Sequence, residues 1–225
     1  MPSSTMIFAK RSISLTKIYF ILGSFFVAFG AFVASAILFF APGSSSILIS
    51  AGFSGFGVLF FATPLILLYV YDKNNGVLEY LLSLGWSQSD IFKRYLKASL
   101  FLASVAYVAE FIIIIIVSLI AGPTAIISGL LILAVIAGLG FSAVSLVTIA
   151  MMAFSSLQKQ RVGANSPLAL AIGVVIILPT FYVELFLPFG FGILFDLLVA
   201  GLAGILSVVL LTLSGRLIRR EKMLP

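Results

Sequence analysis

The sequence predicts an all-α membrane protein with six transmembrane helices, and three observations carry that prediction. Of the 225 residues, 62% are hydrophobic and only 9% charged, with a mean hydropathy of +1.30, where a soluble domain carries about 25% charged residues. Six stretches each supply the ~20 apolar residues that cross ~30 Å of hydrocarbon. When the six are threaded in order, all 13 Lys and Arg fall on one side of the membrane. The positive-inside rule makes that side cytoplasmic and puts both termini there.

Composition also removes chemistry. There is no Cys, hence no disulfide and no thiol reactivity. There is no His, which excludes Ser-His catalysis and His-bound metal or haem. No G-x-x-x-x-G-K-[ST] phosphate loop occurs, so the chain holds no nucleotide through that motif. No metal, catalytic residue or nucleic-acid partner is expected.

From the N-terminus, Thr5 to Lys17 mix Met6, Ile7, Phe8 and Ile13 with Lys10, Arg11 and Ser14. This suits a helix lying at the cytoplasmic interface, with a basic, unstructured anchor as the plainer reading. The basic start, the apolar run and Ala34-Ser35-Ala36 also match a secretory signal. The run continues through Phe40, however, and is read as a retained span. The spans cover about 18–41, 47–71, 98–121, 124–152, 168–187 and 193–213, all in a single domain over residues 1–225. Pro42-Gly43 and Gly122-Pro123 mark tight turns, and the fourth span is long enough to be tilted or bent. Gly52, Gly55 and Gly57 fall inside the second span, where glycine lets helices approach closely.

The longest polar interruption is YDKNNGVLEYLLSLGWSQSDIFKRYL, residues Tyr71 to Leu96. From Gly76 to Leu84, the apolar Val77, Leu78, Leu81 and Leu82 share one helical face, with Asn75, Glu79 and Ser83 on the other. Gly85 offers a left-handed stop. Ser87-Gln88-Ser89-Asp90 reads as a capping box that opens a second helix running into the third span. The expectation is helix, break, helix, with one face on the membrane domain and the other towards the cytoplasm.

This segment resembles the loop after the second span in permease subunits of ABC-2 type ABC transporters. The resemblance rests on Asp72, Lys73, Gly76, Leu78, Glu79, Leu81, Leu82, Ser87, Asp90 and Ile91 in that order. Gly85 stands where Pro is usual, and Arg94-Tyr95 where Gly-Lys often follows. The six-span topology with cytoplasmic ends resembles the family as well. The resemblance implies that the loop is a coupling helix docking into a separate cytoplasmic ABC ATPase subunit. That partner would hold the ATP and Mg, with no cofactor on this chain. A second permease chain, identical or not, would complete an exporter in the cell membrane.

Three acids outside the loop need explanation. Glu110 sits in the middle of the third span, where a carboxyl is costly and faces the bundle interior or a wet cavity. It is either a pathway or gating residue, a partner across a subunit boundary, or a protonated carboxyl bonded to a Ser, Thr or Tyr of a neighbouring helix. Glu184 and Asp196 flank LFLPFGFGILF, in which Pro188, Gly190 and Gly192 break an apolar run. A re-entrant hairpin between spans five and six accounts for this, and family members carry one there. Lys159 and Arg161 between spans four and five, and Arg216 to Lys222 after span six, anchor the topology.

Other functions fit less well. A stand-alone secondary transporter or channel would place several ionisable or helix-breaking features at the midplane, where only Glu110 qualifies, and no inverted repeat is visible. An intramembrane aspartyl protease needs two buried aspartates, and Asp72 lies at the cytoplasmic edge. A scaffold or haem-exporter-like permease of similar size completes the alternatives.

Overall fold

The computed structural model describes residues 10–14, 17–41 and 47–154, with eleven further residues between positions 194 and 213. All regular structure among the described residues is helical. Residues 10–14 form a short helical turn. Five helices follow: α1 (Lys17–Phe40), α2 (Ile47–Asn74), α3 (Val77–Ser83), α4 (Gln88–Ala121) and α5 (Pro123–Phe154). Among the described residues, four helices, α1, α2, α4 and α5, are long and apolar enough to cross a membrane. The described residues of the expected sixth span, from Leu194 to Leu213, are helical. The fifth span, the Pro42-Gly43 turn and the segment from Glu184 to Gly192 lie outside the described residues, as does Asp196.

Small residues decide how α1 meets α2. The buried stripe of α1 is Gly23, Val27, Gly30, Ala31, Ala34 and Leu38, spaced three and four apart. A methyl group at Gly23 would stand 2.7 Å from the backbone nitrogen of Phe61, and one at Gly57 would stand 2.8 Å from that of Val27. The two backbones are therefore in contact, the geometry by which helices in lipid gain dispersion energy. Aromatic rings flank this seam. Phe20 meets Phe61 at 4.3 Å, Phe26 stacks on Phe60 at 5.3 Å, and Phe29 stands edge-on to Phe53 at 4.9 Å. The opposite face of α1, with Ile18, Ile21, Phe25 and Phe32, is exposed, as a lipid-facing surface requires.

Helix α2 is the centre of the bundle and packs against α1, α4 and α5. Val58, Leu59, Ala62, Leu65 and Leu68 bury it against Ile132, Val135, Ile136 and Leu139 of α5 and Leu102 and Ala106 of α4, within one core. Pro64 lies inside α2 and removes one donor from its hydrogen-bond ladder. Four buried Ser and Thr hydroxyls in the bundle bond back to their own helix. Thr63 donates to the Leu59 carbonyl, Ser99 to that of Tyr95, Ser118 to that of Ile114 and Thr148 to that of Val144. No donor is left to hydrocarbon at these positions.

The expected second span ended at Tyr71, but α2 continues to Asn74. Nothing before Gly76 stops the helix, and the Asp72 charge is compensated inside the protein. Asp72 and Lys73 thus form the last turn of a long helix rather than the start of a loop. At the other end of the bundle, Gly122 has a φ of 112° and Pro123 opens α5. One residue therefore reverses the chain, with proline at the first helical position where its missing N–H costs nothing. Helix α4 contains neither Gly nor Pro along its 34 residues.

Candidate functional site

The loop between α2 and α4 is built by three local devices. Gly76, at φ 70°, turns the chain out of α2 and caps α3. At the far end of α3, the Gly85 N–H bonds the Leu82 carbonyl and the Trp86 N–H bonds the Leu81 carbonyl, with Gly85 at φ 84°. This is a Schellman stop, and the left-handed position is what selects glycine there. Ser87 then accepts the Asp90 N–H at 3.1 Å and donates its own hydroxyl to the Asp90 carboxylate at 2.6 Å. The serine half of the expected capping box is present, with the Asp90 carboxylate taking the Ser87 hydroxyl rather than its backbone N–H, and α4 begins there.

These devices fix which side of α3 faces out. Leu78 and Leu82 are buried, and Leu81 is half-buried against the same core. Glu79, Ser83 and Gly85 are exposed, as are Ser87 and Asp90, while Ile91 in the first turn of α4 is buried. Two apolar residues also point away from the bundle, Tyr80 at 63% exposure and Leu84 at 57%. They lie four residues apart on one face. The sequence alone does not place them, because a helix of seven residues is too short for periodicity to separate its edge from its outer face.

Under the loop lies a cluster around Asp72, which is wholly buried. Its carboxylate meets the Arg11 guanidinium at 2.7 Å and 3.3 Å, and it accepts the Tyr95 hydroxyl at 2.5 Å. The shorter arginine contact is ionic rather than a well-aligned hydrogen bond. The Tyr95 ring stands edge-on to Tyr69 at 5.3 Å. Asp72 therefore ties together the N-terminal segment, the end of α2 and the start of α4, the two helices that α3 bridges. The sequence presents Arg11 and Asp72 as separate basic and acidic signals 61 positions apart, so the pair is invisible without the fold. Lys73, next in sequence, is also buried.

The second feature is Glu110, wholly covered by the chain's own helices. The Ser54 hydroxyl of α2 lies against its carboxyl without closing a hydrogen bond of ordinary geometry. Gly30 of α1 backs Ser54, since a methyl group at Gly30 would stand 2.9 Å from the Ser54 backbone nitrogen. Tyr107, one turn before Glu110, sends its hydroxyl to the Leu133 carbonyl at 3.4 Å. The carboxyl lies inside the bundle and no part of it reaches a surface that a second chain could touch, which argues against a partner across a subunit boundary. Pro188, Gly190 and Gly192, with Glu184 and Asp196, fall outside the described residues.

The fold and the two buried acids define a class, a helical protein whose long apolar helices suit a membrane. No protein-family model matches the chain, and no curated protein or solved structure does so either.

Proposed function

We propose that this chain is the transmembrane subunit of an ATP-driven exporter of the ABC-2 type, coupling ATP hydrolysis on a separate subunit to movement of substrate across the cell membrane. In this reading it spans the membrane six times with both termini in the cytoplasm and works as a dimer of permease chains. Each chain is served by one cytoplasmic ATPase that holds the ATP and Mg. The residues from Glu184 to Asp196 form the re-entrant hairpin of the outer leaflet.

One observation carries the reading. A short helix, capped at both ends and braced on Leu78 and Leu82, presents Tyr80, Leu84 and Glu79 outward between two long apolar helices. A bare connector needs no such brace. A rigid helix with an outward apolar step is what a docking partner can push, and α4 follows it directly. Glu110 favours the alternative of a secondary transporter, since an intramembrane carboxyl is the usual means of ion coupling there.

The test is copurification. The detergent-solubilised chain is compared with a double variant, Tyr80→Asp and Leu84→Asp, whose changes lie on the exposed face and leave the buried leucines in place. Copurification of an ATPase with the wild type but not with the variant supports the reading. A wild-type chain that purifies alone and moves solute into vesicles without ATP refutes it and establishes the alternative.

A further inference from the structure

Helix α4 carries a strip whose chemistry changes along its length. Lys93 and Lys97 are exposed, one turn apart. At three- and four-residue spacing the same face continues with Phe101, Val105, Val108 and Ile112, all exposed. Because α4 is one unbroken helix, Lys97 stands about 6 Å along the axis from Phe101. The strip therefore passes from two ammonium groups to bare hydrocarbon within a single turn. Beside it the Arg94 guanidinium lies 4.0 Å from the centre of the Trp86 ring. Tryptophan is the residue most at home at the headgroup level, so this pair marks the depth at which water gives way to lipid. Asp90, the acid at this end of α4, is engaged in the cap by Ser87. Among the described residues neither lysine meets an acid.

We propose that this strip is a binding site for an anionic phospholipid of the cytoplasmic leaflet. The phosphate lies between the Lys93 and Lys97 ammonium groups, and an acyl chain runs down Phe101, Val105, Val108 and Ile112. Charge complementarity selects the headgroup. The continuity of the apolar face selects a lipid over a soluble anion, which would have no use for the hydrocarbon half. Long lysine side chains can lay their methylenes along the helix and place their charge at the phosphate depth. The site does not depend on the transport reading, only on α4 entering a bilayer at this level.

Trp86 is the single tryptophan of the chain, so its fluorescence reports on this location alone. The purified full chain is reconstituted into vesicles of phosphatidylcholine containing either phosphatidylglycerol or phosphatidylcholine brominated on the acyl chain close to the headgroup. The expected result is stronger quenching by the brominated phosphatidylglycerol, a preference of several-fold that weakens with salt. In the Lys93→Gln, Lys97→Gln double variant the several-fold preference falls to parity, within the about fivefold that each lysine can contribute, whereas Lys93→Arg with Lys97→Arg retains it. Equal quenching of the wild type by both lipids overturns the proposal and leaves the lysines to a protein partner. A preference that survives both high salt and the glutamine changes overturns it as well, and it needs only the wild type to show the first of these.

Discussion

Tyr95→Phe removes one oxygen from the centre of the Asp72 cluster and keeps the ring that packs on Tyr69 at 5.3 Å. The lost interaction is a hydrogen bond to a wholly buried carboxylate, and bonds to charged groups contribute about 1.5–3 kcal/mol. For a chain of this size a loss of about 2 kcal/mol lowers the melting midpoint by about 4–8 °C. Arg11→Gln should cost less, about 1 kcal/mol or below, because the arginine side chain is 41% exposed and its attraction is screened by solvent. The two changes share one acceptor, so they should not add. Once Tyr95 no longer donates, Asp72 relies on Arg11 alone, and the double variant should lose about 0.5–3 kcal/mol beyond the sum. Thermal unfolding of the four proteins in one mild detergent, followed by far-ultraviolet circular dichroism, measures the cycle. A Tyr95→Phe protein that melts with the wild type, or an additive cycle, would refute the view that Asp72 joins the three segments.

Four further outcomes are expected. Gly23→Ala and Gly57→Ala should each lower stability by about 1–3 kcal/mol, because the new methyl meets backbone at 2.7 Å and 2.8 Å and backbone cannot yield as a side-chain tip would; melting midpoints of both variants decide this. Gly85→Ala has open space around it and should cost only the left-handed conformation, about 1–2 kcal/mol, with Gly85→Asn milder. Ser87→Ala should lose about 1 kcal/mol of helix capping, visible as faster amide exchange at Asp90 and Ile91 than in the wild type. Glu110→Leu should leave the fold as stable as the wild type or more so, since it replaces a buried carboxyl lacking an ordinary hydrogen bond, and under the proposed exporter function it should lower transport in vesicles supplied with ATPase and ATP. A large loss of stability instead would mean that the carboxyl is structural.

Local signals were the legible ones. The stop at Gly85, the serine cap at Ser87 and Asp90, the turn at Gly122-Pro123 and the close approach at Gly57 each depend on a few adjacent residues and a backbone conformation, and they stand where the sequence puts them. The end of α2 was misjudged by three residues, because charge marks where a helix leaves hydrocarbon but not where its hydrogen bonds stop. Asp72 with Arg11, and Glu110 with Ser54, could not be paired from sequence. Where the long helices cross the bundle they are oily on nearly all sides, so no pattern tells which face meets which neighbour. The exposure of Tyr80 and Leu84 has the same cause, since burial of α3 is set by the bundle above it rather than by its own periodicity.

Kinks in helices arise at proline, at glycine or where the hydrogen-bond ladder is interrupted. Helix α2 has Pro64 and α5 has several glycines, but α4 has neither over its 34 residues, which at 1.5 Å each make a rod about 50 Å long. Such a rod has no place to bend, so a change of angle imposed at its Ser87 end is not absorbed along the way. By the same geometry a tilt of about 3° about one end displaces the other by roughly 2–3 Å, about the width of a hydrogen bond. Glu110 lies roughly two thirds of the way along, at a lever arm of about 33 Å from the Ser87 cap. The same tilt of about 3° would shift Glu110 by roughly 1.7 Å relative to that cap, and with it the way the carboxyl meets Ser54.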